Sequence, residues 1–241
     1  MFTKNNIHLP VVNSTNSYAL SLKGSLVFKE GLVVSTDFQT DGKGQRGKVW
    51  ESKPKENLML SAVLAPNIAL ENQFVITKIV ALAIYDFIKS LGLNAEIKWP
   101  NDILVNKQKV AGILIENTVV NSVISYSVVG IGLNVNQQEF DENLDKASSL
   151  SILLNKKLDL NIIKTDLLAC LQKRVEAFRK GENQDKPYLS ALFLKDKVAT
   201  FESNNQKFMG IIRGVTQQGL LRVETEIETK VFNLQELKLL Y

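Results

Sequence analysis

Four strand-like segments lie close together between residues 95 and 135, with no room between them for a helix. They run from Ala95 to Lys98, Ile103 to Val105, Lys109 to Glu116 and Ser122 to Val135. Parallel neighbours need a crossover of about a dozen residues or more, so these strands are expected to pair mainly antiparallel. The spacing predicts an α+β protein, with a mixed sheet flanked by helices, in preference to a doubly wound α/β fold.

The flanking sequence supplies the predicted helices and two further strands. Apolar residues recur at three-to-four spacing from Glu71 to Leu91 and over residues 161–180, which predicts amphipathic helices, and residues 148–155 have a shorter helical pattern. Short buried strands are predicted from Leu32 to Thr36 and from Leu58 to Ala65, on the two sides of a glycine-rich loop. The helices are therefore expected to cover the sheet.

The character of the sequence changes after Lys186-Pro187, where short strands separated by turn residues begin. This pattern is typical of a small β-barrel. The predicted strands run from Val198 to Phe201, Phe208 to Val215, Leu220 to Thr225 and Lys230 to Asn233. We therefore divide the chain into a main domain of residues 1–187 and a barrel of residues 188–241.

The composition excludes several classes of protein. With 45% hydrophobic and 22% charged residues, the 241-residue chain has ordinary globular usage. No apolar run reaches the length of a membrane span, and the first ten residues lack the apolar run of a signal peptide. The net charge of +4 is modest, and the basic residues form no stripe of the kind that binds nucleic acid. We expect a cytoplasmic protein that binds neither membranes nor DNA.

Two residue types that often carry catalysis occur only once each. His8 has no second His, Cys or carboxylate at metal-ligand spacing, which argues against a zinc site and against a Ser-His-Asp apparatus. Cys170 lies among leucines on a helical pattern and is predicted to pack in the core. Any catalysis must therefore rely on lysines, arginines, carboxylates and backbone groups.

A glycine-rich basic loop, Gly42-Lys43-Gly44-Gln45-Arg46-Gly47-Lys48-Val49-Trp50, is followed about fifty residues later by Lys98-Trp99-Pro100-Asn101-Asp102. Glycines let backbone N–H groups approach an anion closely, and the loop's three cationic side chains supply countercharge. Its tryptophan offers a flat face on which a base such as adenine can stack. In isolation such a loop is also typical of a solvated basic turn. Together the two segments predict a site for a nucleotide phosphate.

Six segments, taken together, resemble the biotin–protein ligases from about residue 14 to the C-terminus. They are Ser14-Thr15-Asn16, Gln39 with the glycine loop, Lys98-Trp99-Pro100-Asn101-Asp102, Lys109-Val110-Ala111-Gly112, Gly130-Ile131-Gly132-Leu133-Asn134 and the terminal barrel. The resemblance implies an SH3-like C-terminal barrel and ATP-dependent activation of biotin to biotinyl-5′-AMP. It also implies transfer of biotin to a lysine of a carboxylase carrier domain, with ATP, biotin and Mg²⁺ as cofactors. It allows a homodimer and leaves the metal ligands unknown.

Two departures from the family pattern affect the expected properties. Where family members usually have Gly-Arg-Gly-Arg, Lys43 and Gln45 replace the two arginines, which weakens the expected hold on the activated intermediate. Family members that also act as repressors carry an N-terminal helix-turn-helix of some sixty residues. Because the first motif begins at Ser14, we expect no such DNA-binding domain here.

The catalytic residues predicted from the resemblance are Lys109, Asp102 and Lys43. Lys109, on a strand with buried neighbours, is expected to bridge the biotin carboxyl and the α-phosphate; the alternative is an edge lysine whose ammonium reaches solvent. Asp102 is expected to orient the carrier lysine and accept its proton, although an aspartate after Pro-Asn also caps turns. Biotin's own carboxylate is already ionised, so activation needs countercharge and no general base.

The binding residues follow from the same resemblance. Ser14, Thr15, Asn16 and Gln39 are expected to hold biotin's ureido head, although Ser-Thr-Asn is also strong helix-capping sequence. The full predicted biotin set is Ser14, Thr15, Asn16, Gln39, Gly42, Lys43, Gly44, Gln45, Lys109, Gly112 and Gly130. The predicted ATP set is Lys43, Arg46, Lys48, Trp50, Lys98, Asn101 and Asn134.

Two further segments have predicted roles at the same site. Gly130 and Gly132 are expected to make room for the biotin rings, with a pair of β-bulges as the alternative. Residues 137–149 are expected to form a lid over the nucleotide.

A lipoate or octanoate ligase and a non-catalytic RNA- or protein-binding module are the competing interpretations. The polar residues at 14–16 and 39 argue against the first, and the lack of interleaved aromatics against the second.

Overall fold

The computed structural model describes residues 1–2, 4–144 and 146–241, without the side chains of Arg46 and Asn143. The strands of the main sheet are β1 (Asn5–Val12), β2 (Leu32–Gln39), β3 (Leu58–Leu64), β4 (Ile68–Ala69), β5 (Ala95–Lys98), β6 (Asp102–Val105), β7 (Gln108–Val120) and β8 (Val123–Leu133). The helices are α1 (Thr15–Ser21), α2 (Phe74–Ser90), α3 (Leu150–Leu154), α4 (Leu160–Arg179) and α5 (Asp185–Ser190). The last strands are β9 (Val198–Ser203), β10 (Gln206–Val215), β11 (Leu221–Glu224), β12 (Thr229–Phe232) and β13 (Lys238–Leu240).

The main sheet has the strand order β1-β2-β3-β8-β7-β6-β5, and β4 pairs with β8. Strands β1 and β2 are parallel, whereas the other pairs along this path are antiparallel. The strands between residues 95 and 135 therefore pair antiparallel, as their spacing predicts. The predicted mixed sheet is confirmed.

Alternating residues of β3 separate the two faces of the sheet. Leu60 and Ala62 point into the large core that α2 and α4 cover, whereas Val63 packs in a smaller cluster with Ala19 of α1. Both predicted long helices are present, and their apolar stripes supply most of the covering side chains. Helix α1 covers only part of the opposite face of the sheet, and the rest of that face borders a cavity.

The C-terminal strands form a separate five-stranded antiparallel sheet in the order β12-β11-β10-β9-β13. Its interior contains Phe201, Phe208 and Phe232, whose rings stack in sequence at centroid distances of 5.6 and 5.8 Å. The predicted small barrel is confirmed. Strand β13 was not predicted, because three residues carry too little alternation to identify a strand.

Hydrogen bonds to residues in and next to β5 attach the barrel to the main sheet. The Phe193 N–H donates to the Ile97 carbonyl at 2.8 Å, and the Trp99 indole N–H donates to the Gly219 carbonyl at 2.8 Å. The division after residue 187 stays a prediction, and that residue lies within α5. Trp99 is partly buried and packs against the large core.

Strand β1 was missed from the sequence. Its polar residues, including Asn5, Asn6 and His8, and its Pro10 all weaken the strand pattern. Proline is tolerated on an edge strand because one side of the strand needs no ladder hydrogen bond. The parallel register beside β2 then holds the segment in place.

In the part of the chain that the structure describes, no helix combines the length and the apolar content needed to cross a bilayer.

The contact between Gly219 of the barrel and Phe74 of the main domain predicts that Gly219→Ala lowers the free energy of unfolding. Gly219 has φ +90°, and an added Cβ would overlap the Phe74 ring. Gly24→Ala is a matched control, because Gly24 has φ +86° and an added Cβ would have no neighbour within 4 Å. Both variants should lose about 1–2 kcal/mol from backbone strain, and Gly219→Ala about 1–3 kcal/mol more from overpacking. Urea unfolding measures the difference, and equal losses would contradict it.

Candidate active site

A cavity of about 920 Å³ lies on one face of the main sheet. Its floor is formed by β3, β6, β7 and β8, and its rim by the start of α1, the glycine loop, the segment after β8 and the last residues of the barrel. All the predicted site residues whose side chains are described line it except Gly42. The fold therefore brings predicted residues that are far apart in the chain into one cavity.

Antiparallel pairing places the glycines of the cavity floor next to each other. Gly112 lies opposite Gly132, and Leu114 lies opposite Gly130. An added Cβ at Gly130 would come within 2.6 Å of the Asn16 side-chain oxygen, and one at Gly112 within 2.9 Å of the Trp50 ring. The pairing is regular at both β8 glycines, so they do not form bulges. They allow other groups to lie flat on the sheet.

A cluster of opposite charges forms one wall. Asp102 Oδ1 lies 2.7 Å from the Lys109 ammonium, and Asp102 Oδ2 lies 3.3 Å from the Lys98 ammonium. The exposed fractions of the three side chains are 17% for Asp102, 35% for Lys109 and 24% for Lys98. Charges that are partly shielded from water interact more strongly than those on an open surface. This wall therefore presents two cations held by one carboxylate.

A bulge in β7 is what directs Lys109 toward this wall. Along the β6–β7 ladder Ala111 lies opposite Ile103, but Lys109 lies opposite Leu104, so Val110 is the extra residue. Without the bulge, Lys109 and Gly112 would point to opposite faces, because side chains alternate along a strand. Strand β7 is an interior strand of the sheet, which excludes the alternative of an edge lysine.

The opposite end of the cavity is polar. Ser14 caps α1 by accepting from the Ser17 N–H at 3.4 Å, so the capping alternative holds, yet Ser14 also lines the cavity. The Gln39 side-chain oxygen accepts from the Thr15 backbone N–H at 2.8 Å and lies 3.1 Å from the Thr15 hydroxyl. Asn16 is buried and rests on Gly130. Capping and ligand binding are therefore compatible here.

Two residues behind this polar end, Ser61 and Glu116, were not predicted from the sequence. The Asn16 amide N–H donates to Glu116 at 2.7 Å, and its oxygen accepts from the Ser61 hydroxyl at 2.6 Å. A serine in the middle of the apolar run of β3 was the available signal, because a buried hydroxyl needs a hydrogen-bonding partner.

The glycine loop is a small closed hairpin. The Trp50 N–H donates to the Gly42 carbonyl at 2.8 Å, and the Gly44 N–H donates to the Lys48 carbonyl at 2.7 Å. The Lys43 ammonium is exposed and donates to the Ser17 hydroxyl at 3.2 Å. An added Cβ at Gly42 would overlap the Trp50 carbonyl, so glycine is required for closure. The Arg46 side chain, predicted to bind ATP, lies outside the described part of the chain.

Trp50 lies across the glycine floor. The Lys109 ammonium is 5.4 Å from the centre of its ring, within cation–π range. Its indole N–H is buried and has no hydrogen-bond partner among the described residues. A buried donor without a partner is costly, so this N–H group is available to a polar ligand. The Trp50 ring thus lies in the cavity, and its role as a stacking platform stays a prediction.

The two asparagines that are predicted to bind ATP both donate hydrogen bonds to backbone carbonyls. The Asn101 amide donates to the Ile113 carbonyl at 2.9 Å, and the Asn134 amide donates to the Ser148 carbonyl at 3.1 Å. Asn134 thereby fastens the end of the segment predicted as a lid. Contact of either side chain with ATP stays a prediction.

The predicted lid, residues 137–149, is anchored at both ends. Toward its C-terminal end, the Lys109 N–H donates to the Lys146 carbonyl at 2.6 Å and the Ser148 N–H donates to the Lys109 carbonyl at 3.0 Å. Near its start, the ammonium of Lys53 lies 2.7 Å from Glu139 and, through this hydrogen bond, lowers the pKa of that carboxyl. Residue 145 of the lid lies outside the described residues.

The barrel reaches the same cavity through Tyr241. Its ring makes an edge contact with Phe193 at a centroid distance of 5.0 Å and lies 4.2 Å from the Lys146 ammonium, which also donates to the Tyr241 carbonyl. The Lys98 ammonium lies 5.3 Å from the same ring. The C-terminal residues therefore contact both the lid and the charged wall.

His8 and Cys170 lie elsewhere. The half-exposed His8 ring contacts Ser35 at 3.1 Å and Asp37 at 3.3 Å, and none of these three lines the cavity. Cys170 is partly buried against the core, and this burial raises the pKa of its thiol. Among the described residues no group of three or more His, Cys, Asp or Glu side chains is arranged to hold a metal ion.

Comparison with known proteins relates this fold and site to one family. Residues 8–134 match the Biotin/lipoate A/B protein ligase family. The chain is 32% identical over 229 residues to the Bifunctional ligase/repressor BirA of Bacillus spizizenii, which covers 91% of this chain and 69% of that protein. It is 28% identical over 229 residues to the Biotin--[acetyl-CoA-carboxylase] ligase of Mycobacterium tuberculosis, covering 90% and 82%. The biotin protein ligase from Aquifex aeolicus in complex with biotin and ATP aligns with a TM-score of 0.76 at 26% identity, covering 98% and 99%.

The chain belongs to the biotin/lipoate A/B protein ligase family. The family resemblance stated from the six motifs is confirmed, and so is the prediction that the protein is an enzyme of the ligase class. The roles of the individual site residues stay predictions.

Proposed function

We propose that this protein activates biotin with ATP, forming biotinyl-5′-AMP and pyrophosphate, and transfers the biotinyl group to a lysine of a biotin carboxyl carrier domain in the cytoplasm. The observation that carries the proposal is one cavity with a charged end and a polar end. Lys98, Asp102 and Lys109 form the first end, and residues 14–16 with Gln39 form the second. A glycine floor separates them. This arrangement suits a carboxylic acid with a polar head.

Activation requires the biotin carboxylate to attack the α-phosphorus of ATP. The carboxylate is ionised at neutral pH, so the main obstacle is repulsion between anions. The Lys109 and Lys98 ammonium groups lie 2.7 and 3.3 Å from Asp102, where phosphate oxygens entering the cavity can replace the carboxylate contacts. Fixed positive charge beside a reacting phosphate stabilises the charge that develops in the transition state. No histidine is needed for this step.

A magnesium ion bound with the phosphates would neutralise part of their charge. Mg²⁺ usually takes one or two protein carboxylates and fills its remaining positions with water and phosphate oxygens. Glu51 is a carboxylate that lines the cavity and is not paired with the wall lysines, so it fits that mode of binding. We propose it as the residue that would hold the ion.

Transfer requires the carrier lysine to lose a proton. With a reference pKa near 10.4, deprotonation at pH 7 costs about 4–5 kcal/mol. The Asp102 carboxylate is the anionic group between the two wall lysines and lines the cavity. We assign it to orienting the incoming ammonium and accepting its proton.

The nucleotide base is assigned to Trp50. In this conformation its ring occupies the glycine floor beside Lys109, which a bound acid would also need. Moving the indole off the floor frees that surface and presents the ring as a stacking platform for adenine. The lid, held to the backbone of Lys109, then shields the mixed anhydride from water.

Substrate choice is the first test of this function. Because the polar end has hydrogen-bonding groups that an alkyl chain leaves unpaired, biotin should support faster pyrophosphate release than octanoate or lipoate at equal concentration. The measurement is ATP-dependent pyrophosphate release by the purified protein, with Mg²⁺ present or chelated. Faster release with octanoate or lipoate would contradict the biotin assignment, and no release with any acid would favour a binding module.

Lys109→Ala should reduce activation of biotin by about 10²–10³, because one fixed charge beside the reacting phosphate is lost. The side chain is partly exposed, so the melting temperature should change little. Lys207→Ala, which removes an exposed strand lysine of the barrel, is the matched control. An unchanged rate of pyrophosphate release in Lys109→Ala, with normal melting, would show that Lys109 has no catalytic role.

Asp102→Asn should impair transfer more than activation, because only transfer requires a proton to leave an amine. A single-turnover assay that starts from preformed biotinyl-5′-AMP and a carrier domain isolates this step, while pyrophosphate release reports activation. Asp166→Asn, on the exposed face of α4, is the control. Equal losses in the two half-reactions would instead indicate a metal-binding or structural role for Asp102.

A further inference from the structure

We propose that Glu116 and Ser61 are positioning residues that fix the donor and acceptor pattern of the polar end of the cavity, so that it accepts a cyclic urea. The inference rests on the proposed function, since the urea is the head of biotin. Neither residue lines the cavity, whereas Asn16 and Thr15, which they contact, both do. Their influence must therefore pass through those two side chains.

The sheet brings these groups together across long sequence separations. Ser61 lies opposite Gly130, which lies opposite Leu114, and Glu116 follows two positions along β7 on the same face. Because Gly130 has no side chain, the buried Asn16 amide can lie directly on the sheet between Ser61 and Glu116. This placement depends on the glycine.

Glu116 fixes which way the Asn16 amide points. The amide nitrogen lies 2.7 Å from Glu116 Oε2 and 3.3 Å from the Leu114 carbonyl oxygen. A carboxylate and a carbonyl only accept hydrogen bonds, so the NH₂ end of the amide must face them. The Asn16 oxygen is thereby directed at Ser61.

Ser61 then transmits this orientation to Thr15. The Ser61 oxygen lies 2.6 Å from the Asn16 oxygen and 2.7 Å from the Thr15 hydroxyl oxygen. An amide oxygen cannot donate, so the single Ser61 hydrogen points to Asn16. The Thr15 hydrogen is left to point to Ser61 or to the Gln39 oxygen, and in either case the lone pairs of Thr15 accept from other donors.

Gln39 completes the pattern. Its oxygen accepts from the Thr15 backbone N–H at 2.8 Å, which turns its NH₂ group away from Thr15. The cavity thus presents an acceptor oxygen at Thr15 beside a donor nitrogen at Gln39. A cyclic urea has N–H donors beside one carbonyl acceptor, which is the complementary pattern. If the Asn16 amide turned over, Ser61 would instead donate to Thr15 and the pattern would change.

The test measures binding of biotin to the full-length protein by calorimetry, with ATP binding measured separately. Glu116→Ala and Ser61→Ala should each weaken biotin binding about tenfold or more, because a buried polar chain loses one of its fixed ends, while ATP affinity stays within about twofold. Glu116→Gln should largely restore biotin binding, because its amide oxygen still accepts from Asn16. Glu202→Ala, which removes a partly exposed glutamate of β9, is the matched control.

A second readout separates positioning from simple charge. At pH 7 the analogue 2-iminobiotin carries a cationic guanidinium, which offers only donors where biotin offers a carbonyl acceptor. Loss of the fixed pattern in Glu116→Ala should lower the ratio of the 2-iminobiotin Kd to the biotin Kd. If Glu116 acted only through its negative charge, that ratio would rise, since the cation would lose an attraction. The ratio for desthiobiotin, which keeps the urea, should not change.

The outcomes distinguish a failure of this inference from a failure of the proposed biotin ligase function. If the unaltered protein fails to bind biotin, the proposed function is overturned and this inference with it. If biotin binds but Glu116→Ala leaves both its Kd and the 2-iminobiotin ratio unchanged, or if Glu116→Gln is as impaired as Glu116→Ala, only the inference is overturned. Equal losses of biotin and ATP affinity with a lowered melting temperature would also overturn it, because they indicate a purely structural role.

Discussion

The register between β7 and β8 is the constraint on which the rest of the site depends. It pairs Gly112 with Gly132 and Leu114 with Gly130, so the centre of one sheet face carries almost no side chains. Opposite residues of an antiparallel pair share a face, so the neighbouring pairings place Asp102, opposite Gly112, and Ser61, opposite Gly130, on that same face. If β7 slipped by one residue against β8, its Lys109, Gly112 and Glu116 would turn to the other face of the sheet.

The charged wall shows why the site can be preorganised. Two ammonium groups in a cavity repel each other, but Asp102 lies between them and holds each by one oxygen. The pairing keeps Lys98 and Lys109 in place before an anion binds, so the proposed replacement of the carboxylate by phosphate oxygens needs little rearrangement. The bulge at Val110 is part of the same arrangement, because it directs Lys109 to the face that carries Asp102.

The sequence predicted what depends on local pattern, namely the strands between residues 95 and 135, the two long helices and the barrel. Almost all the site residues that it predicted line the cavity, because the motifs carry glycine and charge at recognisable spacing. It did not predict β1, the bulge at Val110, or the roles of Ser61 and Glu116. These depend on register between distant segments: Asn16 is 45 residues from Ser61 and 100 from Glu116. Side-chain periodicity within one strand carries no information about which residue lies opposite on the next.

The two ends of the cavity differ in how they are held, and this difference suits a two-step reaction. The polar end rests on buried side chains that belong to the sheet and α1, so it can keep one arrangement through both steps. The charged end is bounded by the glycine loop, the lid and Tyr241, whose contacts are mostly at the surface and therefore cost less to break. The lid is hydrogen-bonded to both backbone groups of Lys109, so the predicted lid is connected directly to the residue proposed to meet the phosphate. An acid held at its head while the other end opens can exchange pyrophosphate for a carrier lysine without leaving the site.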